Sequence, residues 1–321
     1  MDEIISILTS GLQQGLIWSL LVLGVYISYR ILDCADLGVE GVFPLGASIA
    51  GLLIFSGVNP VLATIIAMVG GIVGGIITAL IHTKLKIPMI LAGIITMTGM
   101  LSINLVLLGF ASETTNSLAT LSIDKTVYKG PTDVVYKFFK ETCGIEGFKR
   151  ATASKITVVT LTTAIMLVCY GAIYYLFGTE IGMSLRATGN NERMAQAQGI
   201  NTTTMIIIGL AISNGLVALS GALFAQNAGT ANVESGRGTI VIGLAAIIIG
   251  EIIFGKRTFK VALVSCVVGS ILFFILKATA IKLGVDHYLN LVVAILITVI
   301  LALPVIKPTL MKKHSKKVDA C

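Results

Sequence analysis

Charge is scarce in this chain. Of its 321 residues only 12% are Asp, Glu, Lys or Arg, while 55% are hydrophobic, for a mean hydropathy of +0.96. Soluble domains carry about 25% charged residues, so a soluble globular chain is excluded. Residues that do chemistry are also missing. There is no HExxH, no GxSxG and no pair of aspartates within the apolar runs, and the three histidines (His82, His287 and His314) fall at run ends or in the C-terminal tail. No catalytic set is therefore expected. The five cysteines (Cys34, Cys143, Cys169, Cys266 and Cys321) do not stand at metal-ligand spacing, and only Cys143 falls in a long loop. Neither a metal centre nor a disulfide framework is expected. The opening MDEII has no basic n-region, so the first apolar run is expected to remain as a helix rather than leave as a signal peptide.

What the chain does have is a succession of apolar runs near 20 residues long, the length that crosses a hydrocarbon core as a helix. Nine candidate spans cover roughly residues 4–29, 38–55, 60–81, 88–108, 155–177, 204–224, 240–254, 259–281 and 289–306. A barrel is excluded, because its strands alternate over about ten residues. The expected fold is an all-α polytopic membrane protein of about 8–10 transmembrane helices, one domain over residues 1–321. The run at 240–254 is short and follows the Gly-rich NAGTANVESGRG at 227–238. Either a broken or re-entrant segment or a short tilted helix accounts for it. GGIVGG at 70–75 supplies two overlapping GxxxG pairs, which let helices approach closely in lipid.

The net charge of +7 does not indicate nucleic acid, since the basic residues lie in short loops and the tail. The distribution sets orientation. A cytoplasmic tail (307–321) puts Arg30, Lys84, Lys86, Arg186, Arg193, Lys256, Arg257, Lys260 and five tail lysines inside, and leaves the short outer loops only Arg237 and Lys282. The N-terminus and the long loop at 111–154 are then external, and the loop at 178–203 is cytoplasmic. One nucleotide motif is a decoy. Gly250 to Lys256 reads GEIIFGK, but Arg257 stands where a P-loop needs Ser or Thr, and the segment ends an apolar run. No cofactor is expected on this chain.

Polarity within the spans is sparse. Glu40 lies between Gly38 and Gly41, four residues before Pro44. A charge inside a span costs about 2.5–3.5 kcal/mol on insertion scales and reads as functional by default. It can bind a solute ammonium, cap a neighbouring helix or pair with a base; otherwise it sits solvated at the cytoplasmic end or holds a neighbouring helix. Uncharged polar residues (Gln13, Gln14, Thr96, Thr98, Asn104 and Asn214) either join helices or line a path for a polar solute. Glu40, Gly41, Ser48, Thr96, Thr98, Asn104 and Asn214 are the candidate path residues. Lys277, late in its span, can snorkel outward.

Between two spans lies a polar island, GMSLRATGNNERMAQAQGIN at 182–201. Gly189 and Asn190 suggest a break and a cap, residues 191–198 a short helix with Met194, Ala195 and Ala197 at contact spacing, and Gly199 its end. The run Arg186-Ala-Thr-Gly-Asn-Asn-Glu-Arg-Met-Ala-Gln-Ala-Gln-Gly-Ile-Asn resembles the cytoplasmic loop of ABC importer permeases of the branched-chain amino acid, ribose and nucleoside type. LGVEGVFPLGA at 37–47 and SGRGTIVIGLAAIIIGEIIFGKRT at 235–258 resemble two further segments of that family, although the helix alanine, Ala195, follows Glu192, Arg193 and Met194 here and the external loop is longer than expected.

The resemblance implies that residues 190–198 form the coupling helix that docks on an ATPase, framed by Arg186 and Gly199. Arg186, Gly189, Asn190, Asn191, Glu192, Arg193, Met194, Ala195, Gln198 and Gly199 are thus the candidate docking residues. It also implies a plasma-membrane complex of two permease copies and two ATPase subunits that bind ATP-Mg, fed by an extracellular binding protein with a small polar solute. The overall look is nearest the amino-acid branch, aromatic ones in particular; sugars and nucleosides are alternatives. A secondary transporter would instead place charges deep in several spans.

Overall fold

The computed structural model describes residues 2–111, 120–123, 126–137, 150–255 and 258–282, with positions 295 and 298. Apart from those two positions, the ninth expected span, the tail, Lys256, Arg257, Cys143, Cys321, His287, His314 and much of the 111–154 loop lie outside the described residues.

The described chain is mostly helical, with one short antiparallel pair of strands distant in sequence. Its helices are α1 (Asp2–Val25, continued by a π-helical turn Tyr26–Ile31), α2 (Val39–Phe55), α3 (Pro60–Leu85), α4 (Met89–Ala111), α5 (Lys129–Lys137), α6 (Arg150–Gly178), α7 (Glu180–Asn190), α8 (Glu192–Ala197), α9 (Thr202–Ala228), α10 (Thr239–Phe254) and α11 (Phe259–Lys282). Strands β1 (Thr120–Ser122) and β2 (Thr230–Asn232) pair antiparallel, with Leu121 opposite Ala231. Seven helices are long and apolar enough to cross a membrane, and the apolar 17-residue α2 adds an eighth segment. Local chemistry sets the ends. Asn59 caps α3 by accepting from Val61 N at 3.0 Å, with Pro60 next, a position where its missing donor costs nothing. Gly229, at φ +74°, ends α9.

The core is α9, buried on nearly every side between α1, α2 and α3. Small residues make this possible. A Cβ on Gly71 would overlap the methyl of Ala218 and come within 2.5 Å of the Asn214 carbonyl oxygen, and one on Gly75 would overlap the Leu210 carbonyl oxygen. The GxxxG stripe therefore seats α3 on α9. Across α1, Ser213 Oγ donates to Gly24 O at 2.7 Å, Ser220 Oγ to Ile17 O at 2.9 Å and Ser270 Oγ to Gly15 O at 2.8 Å. Close packing and such bonds hold helices together where lipid removes the hydrophobic drive. Trp18 stacks among Phe43, Phe224 and Phe274 at centroid distances of 5.0–5.9 Å. Outside the spans, Tyr128 is buried against Thr162, and burial pushes its phenol up to about 12.

Two segments start inside the bundle. Residues 32–38 turn back after α1 without helical structure, and Asp36 on them meets Asn214, at the middle of the 27-residue α9. α2 thus begins near mid-depth. Its 17 residues span about 26 Å at 1.5 Å each, short of a full crossing. The segment after α9 runs down along α2. Ala231 lies against Gly51, while five residues later Gly236 packs on the Glu40 carbonyl and the Pro44 ring. α10 then starts at depth. The short run at 240–254 is the helix Thr239–Phe254, which together with the turn Val233–Gly236 before it is long and apolar enough to cross a membrane. Irregular backbone at this depth is tolerated because protein surrounds it: Asp36, Val233 and Gly236 are all buried.

Candidate functional site

Two regions gather the polar residues. The first surrounds the inner end of α2. Glu40 is half-buried at mid-depth, not at the cytoplasmic end, and its carboxylate accepts from Gly238 N at 3.1 Å. It thereby caps α10, whose first N–H groups have no partner within the helix. Gly41 allows α4 to come close: its Cβ would lie 2.9 Å from Met97 Cα, and its carbonyl accepts from Asn104 Nδ2 at 3.1 Å. Thr78 Oγ1 donates to Thr96 Oγ1 at 3.0 Å, joining α3 to α4. Asn214 Nδ2 donates to Asp36 Oδ2 at 2.8 Å, and Gly38 N donates to Asp36 Oδ1 at 2.8 Å.

Three buried oxygens in this region (Ser48 Oγ, Asn104 Oδ1 and Asn214 Oδ1) have no hydrogen-bond partner among the described residues. Unsatisfied buried polar atoms cost free energy, and native structures keep few of them, so these are acceptors open to a polar solute or to water.

Of the expected path residues, Glu40, Gly41 and Ser48 stand on α2, and Thr96, Asn104 and Asn214 on the helices packed against it. Thr98 does not join them. It is exposed on the outer face of α4 and donates to Ile94 O of its own helix at 2.8 Å. Gln13 ties α1 to the end of α9 through Asn227 at 2.6 Å, and Gln14 is exposed. Asp36 is the residue that sequence reasoning missed. It lies just outside the apolar run, yet it is 1% exposed and forms no ion pair with the described residues.

The second region is the basic end of the bundle, where α1 and α10 stop and α7 and α8 lie across. α7 continues through Gly189 to Asn190, so Gly189 is not a break. It is a close-approach glycine: a Cβ there would overlap the carbonyl oxygen of Ile31. The cap of α8 is Asn191 and not Asn190, its side chain accepting from Met194 N at 3.1 Å. Gly199 terminates the turn at φ +83° with open space around it. Gln196 Nε2 donates to Thr202 Oγ1 at 2.8 Å, and Thr202 Oγ1 to Glu192 Oε1 at 3.2 Å, which pins α8 to the start of α9.

Ala195 is 2% exposed and faces the bundle, whereas Met194 is 61% exposed. Glu192, Arg193, Met194, Gln198 and Gly199 therefore make the outward surface, and Ala195 seats it from below. Arg186 stacks over Phe259 at 4.1 Å and donates to Phe177 O at 3.1 Å. Beside α7 a cleft of about 860 Å³ opens, lined by Tyr26, Arg30, Asp33, Glu251 and Phe259 among others.

Residues 7–302 match the family described as branched-chain amino acid transport system / permease component. A tyrosine transport system permease protein of Clostridioides difficile is 34% identical over 319 residues, covering 99% of this chain and 97% of that protein. A ribose import permease protein of Bacillus subtilis is 28% identical over 269 residues, 83% of this chain and 75% of that one. Among solved structures, PsaBC from Streptococcus pneumoniae in complex with Fab is similar at TM-score 0.46 and 17% identity, covering 91% of this chain and 87% of that one. The long apolar helices, the family match over residues 7–302 and the 34% identity to the tyrosine permease lead to one conclusion: the chain belongs to the branched-chain amino acid transport system permease family, and is a multi-pass plasma-membrane permease subunit of an ABC importer.

Proposed function

We propose that this subunit forms the path for an amino acid with an aromatic side chain, tyrosine foremost. The observation that carries the reading is 34% identity to a tyrosine transport permease over 99% of the chain. The polar surroundings of α2 support it. Glu40 offers a half-buried carboxylate to an ammonium, and the unpartnered oxygens of Ser48, Asn104 and Asn214 offer further acceptors. A ribose-type solute is the second reading, since the ribose permease aligns over 83% of the chain; the same acceptors suit hydroxyls.

The basic end faces the cytoplasm, as Arg30, Lys84, Lys86 and Arg186 require. There α8 docks on an ATPase subunit through Met194 and its neighbours. Two permease copies and two ATPases that bind ATP-Mg make the importer, and an external binding protein delivers solute to the β1–β2 end. This chain binds no cofactor. Closure of the ATPases moves α7 and α8 as a rigid body against the bundle.

The test is uptake by the purified complex, with its binding protein, in ATP-loaded liposomes. Labelled tyrosine is taken up, and excess phenylalanine or tryptophan competes while ribose and nucleosides do not. Competition by ribose alone assigns the sugar reading instead.

A further inference from the structure

Between the docking segment and the interior site the described residues form one continuous series of contacts. At one end, the backbone of Gly189 lies directly on the carbonyl of Ile31. No side chain intervenes, so a displacement of α7 cannot be absorbed by rotamers. Ile31 closes the π-helical turn Tyr26–Ile31, an irregularity that marks functional positions in long helices. Arg30, on that turn, holds Glu251 through two bonds, Nε to Oε1 and Nη2 to Oε2, each 2.8 Å. A two-pronged pair fixes orientation as well as distance. Glu251 lies in the last turn of α10. At its other end, about 20 Å from Glu251 along the rod, α10 begins on the carboxylate of Glu40.

We propose that the Arg30–Glu251 ion pair is a positioning element that carries movement of α7 and α8 to the inner end of α10, and so to the solute site. The proposal rests on the docking reading above. The pair opens onto the cleft, with Arg30 35% exposed and Glu251 17%. The cleft leaves room for exchanged side chains, and variants at these positions are expected to assemble.

The experiment reads hydrogen exchange in the purified permease–ATPase complex, with and without a non-hydrolysable ATP analogue. It needs no solute. In the unaltered complex the analogue protects residues 191–199 and changes exchange at residues 236–242. Arg30→Glu and Glu251→Arg singly keep the first effect and reduce the second about fivefold or more. The double exchange, Arg30→Glu with Glu251→Arg, restores it, which a merely space-filling role would not do. Should a reversal fail to assemble, Arg30→Lys keeps the charge and loses the fork; it is expected to weaken the response at 236–242, and an unchanged response overturns the proposal. Protection at 191–199 with an intact response at 236–242 in the single reversals overturns the relay alone. So does failure of the double exchange to restore it in an assembled complex. No protection at 191–199 in the unaltered complex overturns the docking reading, and the relay with it.

Discussion

Gly189→Ala is a one-carbon change whose consequence follows from where the carbon would go. The new Cβ would overlap Ile31 O and sit 2.8 Å from both Ile31 C and Leu32 Cα. Carbon atoms in ordinary contact are about 3.5–4.0 Å apart, so α7 must withdraw by about 1 Å. Forcing a methyl into a packed contact costs about 1–3 kcal/mol, while replacing a helical glycine by alanine returns about 0.5–1 kcal/mol. The balance disfavours the seated position of α7 by up to about 2.5 kcal/mol, or about 70-fold in its population. Gly171→Ala on α6 is the matched control, because nothing lies within 4 Å of the added carbon. Two measurements decide it: thermal unfolding in mild detergent, and solute imported per ATP hydrolysed by the reconstituted complex. Gly189→Ala should lower the transport ratio, while Gly171→Ala should leave it unchanged and hold or raise the unfolding temperature. Equal ratios and equal unfolding temperatures in the two variants would refute the reasoning.

Three further outcomes follow from the same contacts. Asp36→Ala strands the buried Gly38 N–H and one of the two Asn214 Nδ2 hydrogens, the other staying on Leu210 O, at about 1–3 kcal/mol for a buried donor left unsatisfied; it should lower the detergent unfolding temperature, and an unchanged value contradicts the buried role. Glu40→Gln keeps an oxygen to accept from Gly238 but loses the charge. The protein should insert and assemble while its KM for tyrosine uptake rises about tenfold, the scale of one lost charged hydrogen bond; an unchanged KM removes Glu40 from solute binding. Met194→Asp changes a side chain that is 61% exposed, so unfolding should shift by no more than about 0.5 kcal/mol, while retention of the ATPase falls.

Span positions were legible because run length alone carries them. The expected 60–81 is observed as Pro60–Leu85, and 259–281 as Phe259–Lys282. The irregular, partly buried turn before α10 was visible in the short run and the glycines before it. Asp36 was not, because it precedes the apolar run and only tertiary packing shows that the chain turns inward there. Its one local sign is the spacing to Gly38, where an aspartate bonds the backbone two residues on. Thr98 could have been set aside: it is two residues from Thr96, about 200° around the helix, so both cannot face inward. Gly189 was misread because glycine ends helices and also lets them touch. Its chain neighbours do not distinguish the two uses; the carbonyl of Ile31, more than 150 positions away, does.

The central claim is that this permease works as one part of an ATP-driven complex docked through α8. It is tested most directly by purifying the tagged protein from its native membrane in mild detergent and identifying by mass spectrometry what comes with it. The account predicts an ATPase subunit that accompanies the unaltered protein and is lost with Met194→Asp. A permease recovered alone that still moves solute into liposomes without ATP would contradict it.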